Sequence, residues 1–334
     1  MLEEAAVIRC NRRQIVRAGL LVSLAGLRAD AARCQPRYPE RPIRVIVPFA
    51  AGGVGEAAIR VLAPRMEQKL GQKLVVEPKP GGAGNLGARE VARADADGYT
   101  ILVAAAGNFV INQFLTKMPF DPLAALTPIA KIAEIPIVFC SNPSVPVQSL
   151  AEFVGYARAH RGKFNYGSPG NGSVNHLVVE NLKHIAGIEI THIRYRGSPP
   201  ATLAALANEI QLYAIGLAAV AGHLKDGRLT ALAVTTKNRL AVLPEVPTVI
   251  EAGFPGLVMS NWWAMAVPAR TPEPVVGLLN QAVVEALNDA SVAEHFAALG
   301  MHVPTQTREQ FIASLGPEAD LWSQVIARGK IVGE

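Results

Sequence analysis

The sequence predicts an α/β protein built as two lobes, and three observations carry that prediction. Short β-branched runs alternate with longer segments of helical periodicity, the pattern of a largely parallel sheet covered by helices. Two proline-rich passages, "SNPSVPVQS" (141–149) and "LPEVPTVIEAGFPG" (243–256), divide the alternation into separate series. The 334 residues also exceed what one core usually holds, since single cores rarely grow past ~250 residues. Half of the chain is hydrophobic and only 18% is charged, which suits packed globules and argues against a disordered chain.

Residues 1–37 read as an export leader. Arg12, Arg13 and Arg17 precede an apolar run from Ala18 to Leu27, followed by Ala29-Asp30-Ala31. The run is shorter than the ~20 residues a membrane span needs. The adjacent arginines hint at a twin-arginine route. The leader holds seven basic and three acidic residues, so the remaining chain is close to neutral, near +1, although the whole chain is +5. The basic balance therefore says little about nucleic acid, and no Lys/Arg run with interleaved aromatics is present. Cys10 and Cys34 fall in the leader, leaving Cys140 alone, with no internal disulfide or cysteine-rich metal site possible after processing. Cys140 is expected as a small buried hydrophobe.

The first strands are "IRVIVPF" (43–49), "KLVVE" (73–77) and "TILVAAA" (100–106). Between the first two, "EAAIRVLAPRMEQKLG" places Ile59, Leu62, Met66 and Leu70 at helical spacing and stops at Gly71. "SLAEFVGYARAHRGK" opens with Ser149 and Glu152 in capping-box spacing, and "TREQFIASLG" repeats the device with Thr307 and Gln310. "FNYGS", "IEITHIRYRG", "EIQLYAI" and "LTALAVTT" form a second strand series over 164–236. "NWWAMAVP" then supplies one more strand, and a helix opened by Thr271 and Pro272 follows. The expected division is leader 1–37, first lobe 38–139, second lobe 140–258, and a return to the first lobe over 259–334. A simple tandem of two domains competes with that layout.

"PKPGGAGNLGARE" (78–90) contains a formal G-x-G-x-x-G at Gly82, Gly84 and Gly87. A dinucleotide fingerprint follows the first strand and has an acidic residue about 20 positions on. This one follows the second strand, and residue 107 is glycine. The expected role is a turn with positive φ and close strand-to-helix packing.

"YPERPIRVIVPFAAGG", "LVVEPKPGGAGNLGAREVARADADGYTILVA", "LAEFVGYARAHRGKFNYGSPGNGSVNHL" and "ALAVTTKNRLAVLPEVPTVIEAGFPG" stand in this order. From Tyr38 to the C-terminus the chain resembles the receptors of tripartite tricarboxylate transporters, the Bug-type extracytoplasmic solute-binding proteins. The resemblance implies a type II periplasmic-binding-protein-like fold with a ligand cleft between two α/β lobes. It implies a periplasmic, monomeric receptor that captures a small organic carboxylate for a two-component membrane permease, with no catalysis, cofactor, metal or nucleic acid.

Two strand-to-helix turns could hold that anion. "PFAAGGVGE" (48–56) precedes the first helix, whose free N–H groups could point at a carboxylate, with Phe49, Ala51, Gly53 and Gly55 as contacts. "YGSPGNGSVNH" (166–176) is its counterpart in the second series, with Ser168, Asn171, Gly172, Ser173 and His176. Asn108, after the third strand, is a further candidate. Where the family usually has Thr-Asp this chain has Gly55-Glu56, so hydroxyl help is lost. Where members often carry a polar or acidic residue it has Ile215, which favours a carboxylate whose far end is apolar or neutral.

Competing readings remain at this point. Ser173 and His176 could be a hydrolase nucleophile and base, but no G-x-S-x-G elbow accompanies them. The glycine loop could serve a nucleotide-dependent oxidoreductase, and a receptor could dock a signalling partner rather than a permease. His176, Glu180 and His184 form an i, i+4, i+8 stripe that could ligate zinc, although a solvated face is the simpler expectation. Trp262 and Trp263 are expected to pack in the core or rim near the lobe junction, although one could line the cleft.

Overall fold

β1 (Ile43–Val47) is buried almost throughout and pairs in parallel with β2 (Leu74–Pro78) on one side and β3 (Thr100–Ala105) on the other. The structure, a computed structural model, describes residues 38–49, 51–118, 120–195 and 197–332; the expected export leader lies outside them. Helix α1 (Val54–Leu70) buries Ile59, Leu62, Met66 and Leu70 on one face, as their spacing requires. It ends where Gly71, at φ 68°, donates its N–H to the Glu67 carbonyl. Helix α2 (Asn85–Ala92) follows β2. Gly82 and Gly84 before it take positive φ, and a Cβ on Gly87 would lie 2.8 Å from Pro48 Cβ. The glycine motif is thus a tight turn and a close strand-to-helix packing.

After β3 the chain makes a π-helical turn (Gly107–Ile111) and reaches β4 (Leu126–Ser141). This sixteen-residue strand was not evident in the sequence, because Pro128 and Pro136 argue against one. Each proline falls where the ladder is interrupted. The register on the antiparallel partner β9 (Ser260–Pro268) shifts just after Pro128, and Pro136 is the last residue paired with β9. From Ile137, β4 pairs instead with β7 (Leu212–Gly216), and from Val138 also with β8 (Thr230–Val234).

β4 therefore belongs to two sheets. One runs β2-β1-β3-β9-β4. The other continues β4-β7-β5-β6, with β5 (Asn165–Ser168) and β6 (Thr191–Arg194), and with β8 on β4. In the second sheet, helices α3 (Leu150–Ala159), α4 (Val174–Ala186) and α5 (Ser198–Leu206) make the connections. Ser149 caps α3 by accepting the Glu152 N–H.

The chain leaves the second sheet beside the point where it entered. Thr235, fully buried, donates its hydroxyl to the carbonyls of Ile137 (3.2 Å) and Met259 (2.6 Å), so both crossing segments are clasped by one side chain. Helix α6 (Glu273–Leu287) starts after Pro272 and packs on α1. Thr271 bonds back to the Pro268 carbonyl rather than capping the helix. A short α7 (Ala290–Ala298) precedes α8 (Arg308–Gly329), which opens with the expected Thr307–Gln310 capping box. α8 lies against α4 and the π turn, and its Phe311, Leu315 and Trp322 join one apolar core with Ile46, Phe139 and Tyr166.

Candidate functional site

The C-terminal ends of β2 and β3 in the first sheet, and of β5 and β6 in the second, open onto a cavity of about 720 Å³. That lies within the ~300–1,000 Å³ usual for small-molecule sites. The first-lobe wall is the turn Gly82–Ala83, the start of α2 through Arg89, and residues 112–118. The second-lobe wall is Pro169–Asn171 with Arg194, Tyr195 and Gly197. Arg89, Lys117 and Arg194 bring three cations to this lining, and no carboxylate is among its described residues. Among the described residues the Arg89 guanidinium makes no hydrogen bond or ion pair.

Asparagines stiffen the first wall. Asn108 in the π turn and Asn112 just after it both donate to the Ala83 carbonyl, at 3.0 and 3.1 Å. Asn112 also donates to Asn85 Oδ1 (2.7 Å), and Asn85 to Thr116 Oγ1 (3.2 Å). Asn108 therefore lies beneath the wall, 1% exposed, with Oδ1 lacking a hydrogen-bond partner among the described residues.

The turn after β1, expected to form the first wall, does not line this cavity. Its amide Gly52 N–H is taken by the chain's own Glu56 Oε2 at 2.8 Å. That contact, and then the Arg60 guanidinium, hold the Glu56 carboxyl below its ordinary range. Gly55 is covered by the Trp263 ring, which a Cβ there would meet at 2.1 Å, and Phe49 packs edge-on to Trp263 at 5.2 Å. Glycine turns follow both β1 and β2. A carboxylate and an indole fill the first, while the second faces the cavity with Gly82 and Ala83.

In the expected second turn, Asn171 lines the cavity, and its Nδ2 also donates to the Val332 carbonyl. Gly172, at φ 71°, backs onto the first lobe: a Cβ there would lie 2.0 Å from Leu115 Cδ1. Ser168 and Ser173 do not present free hydroxyls to the cavity, because both donate to the Gly170 carbonyl, at 3.0 and 2.8 Å. Ile215, 3% exposed, sits in a separate apolar cluster with Tyr213 and Val138.

Residues 58–329 match the sequence model of the tripartite tricarboxylate transporter family receptor. The chain is 32% identical to BugT of Bordetella pertussis over 310 residues, covering 92% of this chain and 94% of BugT. It superposes on a Rhodopseudomonas palustris protein solved with adipate at a TM-score of 0.78 and 31% identity, over 89% of this chain and all of that one. Periplasmic binding protein BugD gives a TM-score of 0.75 at 30% identity, over 89% and 100% of the two chains.

The chain belongs to the tripartite tricarboxylate transporter receptor family.

The two-sheet architecture is accordingly the two-lobed α/β fold of periplasmic solute-binding proteins. Family members and structural neighbours of this receptor are binding proteins. The Ser173–His176 pair expected for a hydrolase takes a helix-start form in the receptor. Ser173 Oγ caps α4 by accepting the His176 backbone N–H, and the His176 ring turns to Gly172, accepting its N–H on Nδ1 at 3.0 Å. In the zinc-type stripe, Glu180 accepts the Tyr166 hydroxyl and the Lys183 ammonium, and His184 lines a separate groove with Arg328. No cluster of three or more potential ligands is placed to hold a metal among the described residues. Cys140 is buried, donates to the Tyr213 carbonyl, and has its thiol pushed up to about 12 by burial. Trp262 lies in the shared core and donates to Glu318, while Trp263 faces the β1 turn.

Three cavity-lining cations were not among the sequence-based candidates: Arg89 on α2, Lys117 in the loop that follows residues 112–115, and Arg194 at the end of β6 meet only in the folded chain. Arg194 ends a parallel strand, the position where α/β folds bind ligands, whereas Arg89 and Lys117 lie well past the ends of β2 and β3 and carry no such signal.

Proposed function

We propose that this protein is a periplasmic receptor that takes an organic carboxylate anion into the cavity between its lobes and presents it to a two-component membrane permease. One observation carries the reading: both walls contribute cations, Arg89 and Lys117 from one side and Arg194 from the other, and the described lining holds no carboxylate. Such a lining draws in and retains a negative solute and repels a cationic one. The Asn171 main chain, with the side-chain amides of Asn85 and Asn171, adds neutral polar contacts. The adipate-bound neighbour supports a carboxylate as the solute, and family membership supports the permease as partner. Residues 1–37 would direct export. Among the described residues no helix is long and apolar enough to cross a membrane.

The reading departs from the sequence-based expectation in two ways. The first-lobe contacts move from the β1 turn to the β2 turn. The far end of the solute meets cations, not an apolar or neutral wall.

A thermal-shift panel tests it. Mono-, di- and tricarboxylates are compared with their uncharged amides at equal concentration. At least one carboxylate should raise Tm with a saturable dependence that follows mass action, and its amide should not. No shift from any acid, or equal shifts from acid and amide, overturns the reading.

A further inference from the structure

Behind the second wall lies a stack of rings that the cavity itself does not include. The imidazoles of His176 on α4 and His192 on β6 are parallel, with centroids 3.9 Å apart, and Tyr166 on β5 stacks on His192 at 4.8 Å. Each imidazole reaches the turn between β5 and α4. His176 Nδ1 accepts the Gly172 N–H at 3.0 Å, and His192 Nε2 lies 2.7 Å from Ser168 Oγ. Ser168 in turn donates to the Gly170 carbonyl, which also takes the Ser173 hydroxyl.

The two histidines differ in what they can tolerate. With the Ser168 hydroxyl donating to Gly170, His192 Nε2 acts as a donor, a role open to both neutral and charged imidazole. His176 Nδ1 is an acceptor, and an acceptor nitrogen exists only in the neutral ring. The proton of that ring is then on Nε2, which faces Glu180 Oε1 at 3.9 Å.

We propose that His176 is a positioning residue for solute capture: its unprotonated Nδ1 holds the Gly172 N–H, and with it the Gly170–Asn171 wall, so the receptor grips its anion only while this imidazole is neutral. The inference rests on the proposed receptor function and names the device that shapes its second wall.

The surroundings favour the neutral ring. The charged and titratable groups around it are Glu180 and Lys183 on α4 itself, Tyr166 on β5 and His192 on β6; Arg194 on β6 bears on His192, and Arg328 on α8 lines the groove beside Glu180. Burial first, then His192 and Lys183, push His176 down to about 3. Glu180 offers little opposition, since it already takes Lys183 at 2.6 Å and the Tyr166 hydroxyl. An opened turn would expose an imidazole of ordinary pKa, ~6.5. The closed turn is therefore fully favoured above that value, and its advantage is lost as pH falls from there toward the folded value. For one histidine the opening constant rises about tenfold per pH unit over that interval.

Hydrogen exchange on ligand-free protein tests the device without knowledge of the solute. In the wild type, amides of residues 170–173 should lose protection below pH 6.5 by about tenfold per unit beyond the intrinsic change in exchange rate. His176→Asn keeps an acceptor oxygen at the δ position, so protection at pH 7 should survive and the acid dependence should flatten. His176→Gln moves the amide one bond outward and His176→Leu removes it. Both should lose at least tenfold of the protection at 170–173, with β1 and α1 peptides unchanged. Wild-type protection in the Leu and Gln variants, or a loss spread evenly over the chain, overturns the proposal. Calorimetry with whichever carboxylate gives the largest saturable heat should then show near wild-type affinity in the Asn variant and at least tenfold weaker binding in the Leu variant. Equal affinities overturn the link to capture. Absence of binding by every carboxylate, with the exchange pattern intact, overturns the solute reading and not the turn's dependence on His176.

Discussion

Arg89→Ala is the perturbation that most directly weighs the cationic lining. Arg89 projects from α2 into the cavity and is partly buried, and its guanidinium is uncommitted to any described residue. A hydrogen bond to a charged group is worth about 1.5–3 kcal/mol, and partial exposure with salt screening argues for the lower end. A loss of about 1.5 kcal/mol corresponds to roughly tenfold weaker binding. Isothermal calorimetry at low and moderate salt measures it, with the carboxylate that shifts Tm most as the probe. The tenfold gap should narrow as ionic strength rises, because the lost interaction is largely coulombic and only partly shielded from solvent. Arg89→Lys should fall between, since a point charge replaces the planar fork. If Arg89→Ala binds within twofold of the wild type at low salt, the solute does not meet this wall, and the assignment of the first-lobe contacts fails.

Two further outcomes bear on how the lobes meet and what holds them. Gly172→Ala places a Cβ 2.0 Å from Leu115 Cδ1 at a φ of 71°, so it should destabilise by about 1–3 kcal/mol. Adding Leu115→Ala should return part of that loss, and chemical denaturation of both singles and the double gives the coupling; strict additivity would mean the two do not meet. Glu318 accepts both Trp262 Nε1 (2.9 Å) and Trp322 Nε1 (3.3 Å) in the shared core, and burial pushes its carboxyl up. A raised folded pKa means that folding favours the protonated form, so this group subtracts stability as pH climbs above the ordinary carboxylate range toward the folded value. Glu318→Gln should therefore keep or raise Tm at pH 7 and flatten its pH dependence just above the ordinary carboxylate range. Glu318→Leu orphans both indole donors and should cost about 1–3 kcal/mol for each. A Gln variant that is as unstable as the Leu variant would contradict this account.

Local chemistry made much of the fold legible. Ile59, Leu62, Met66 and Leu70 with Gly71 describe one helix face and its stop, and Thr307 with Gln310 opens α8 as capping requires. β4 escaped notice because Pro128 and Pro136 look like breakers when the ladder gaps they occupy are unknown. The lining of the cavity was harder for a related reason. The glycine turns after β1 and after β2 look alike as sequence, and what separates them is long-range: Trp263 and Glu56 fill one, and the other is pinned open by Asn108 and Asn112. Arg89, Lys117 and Arg194 have no shared spacing to betray them. The stacking of His176 on His192 depends on β6 lying beside β5, which no local spacing shows.

The central claim is that a carboxylate sits between the β2 turn and the β5 turn. A crystal structure of the protein with its best-binding carboxylate tests that most directly. Ligand density should lie between Arg89 with Asn85 on one wall and Gly170–Asn171 with Arg194 on the other. Density instead at the β1 turn around Gly52–Gly55, with Glu56 and Trp263 displaced, would contradict it.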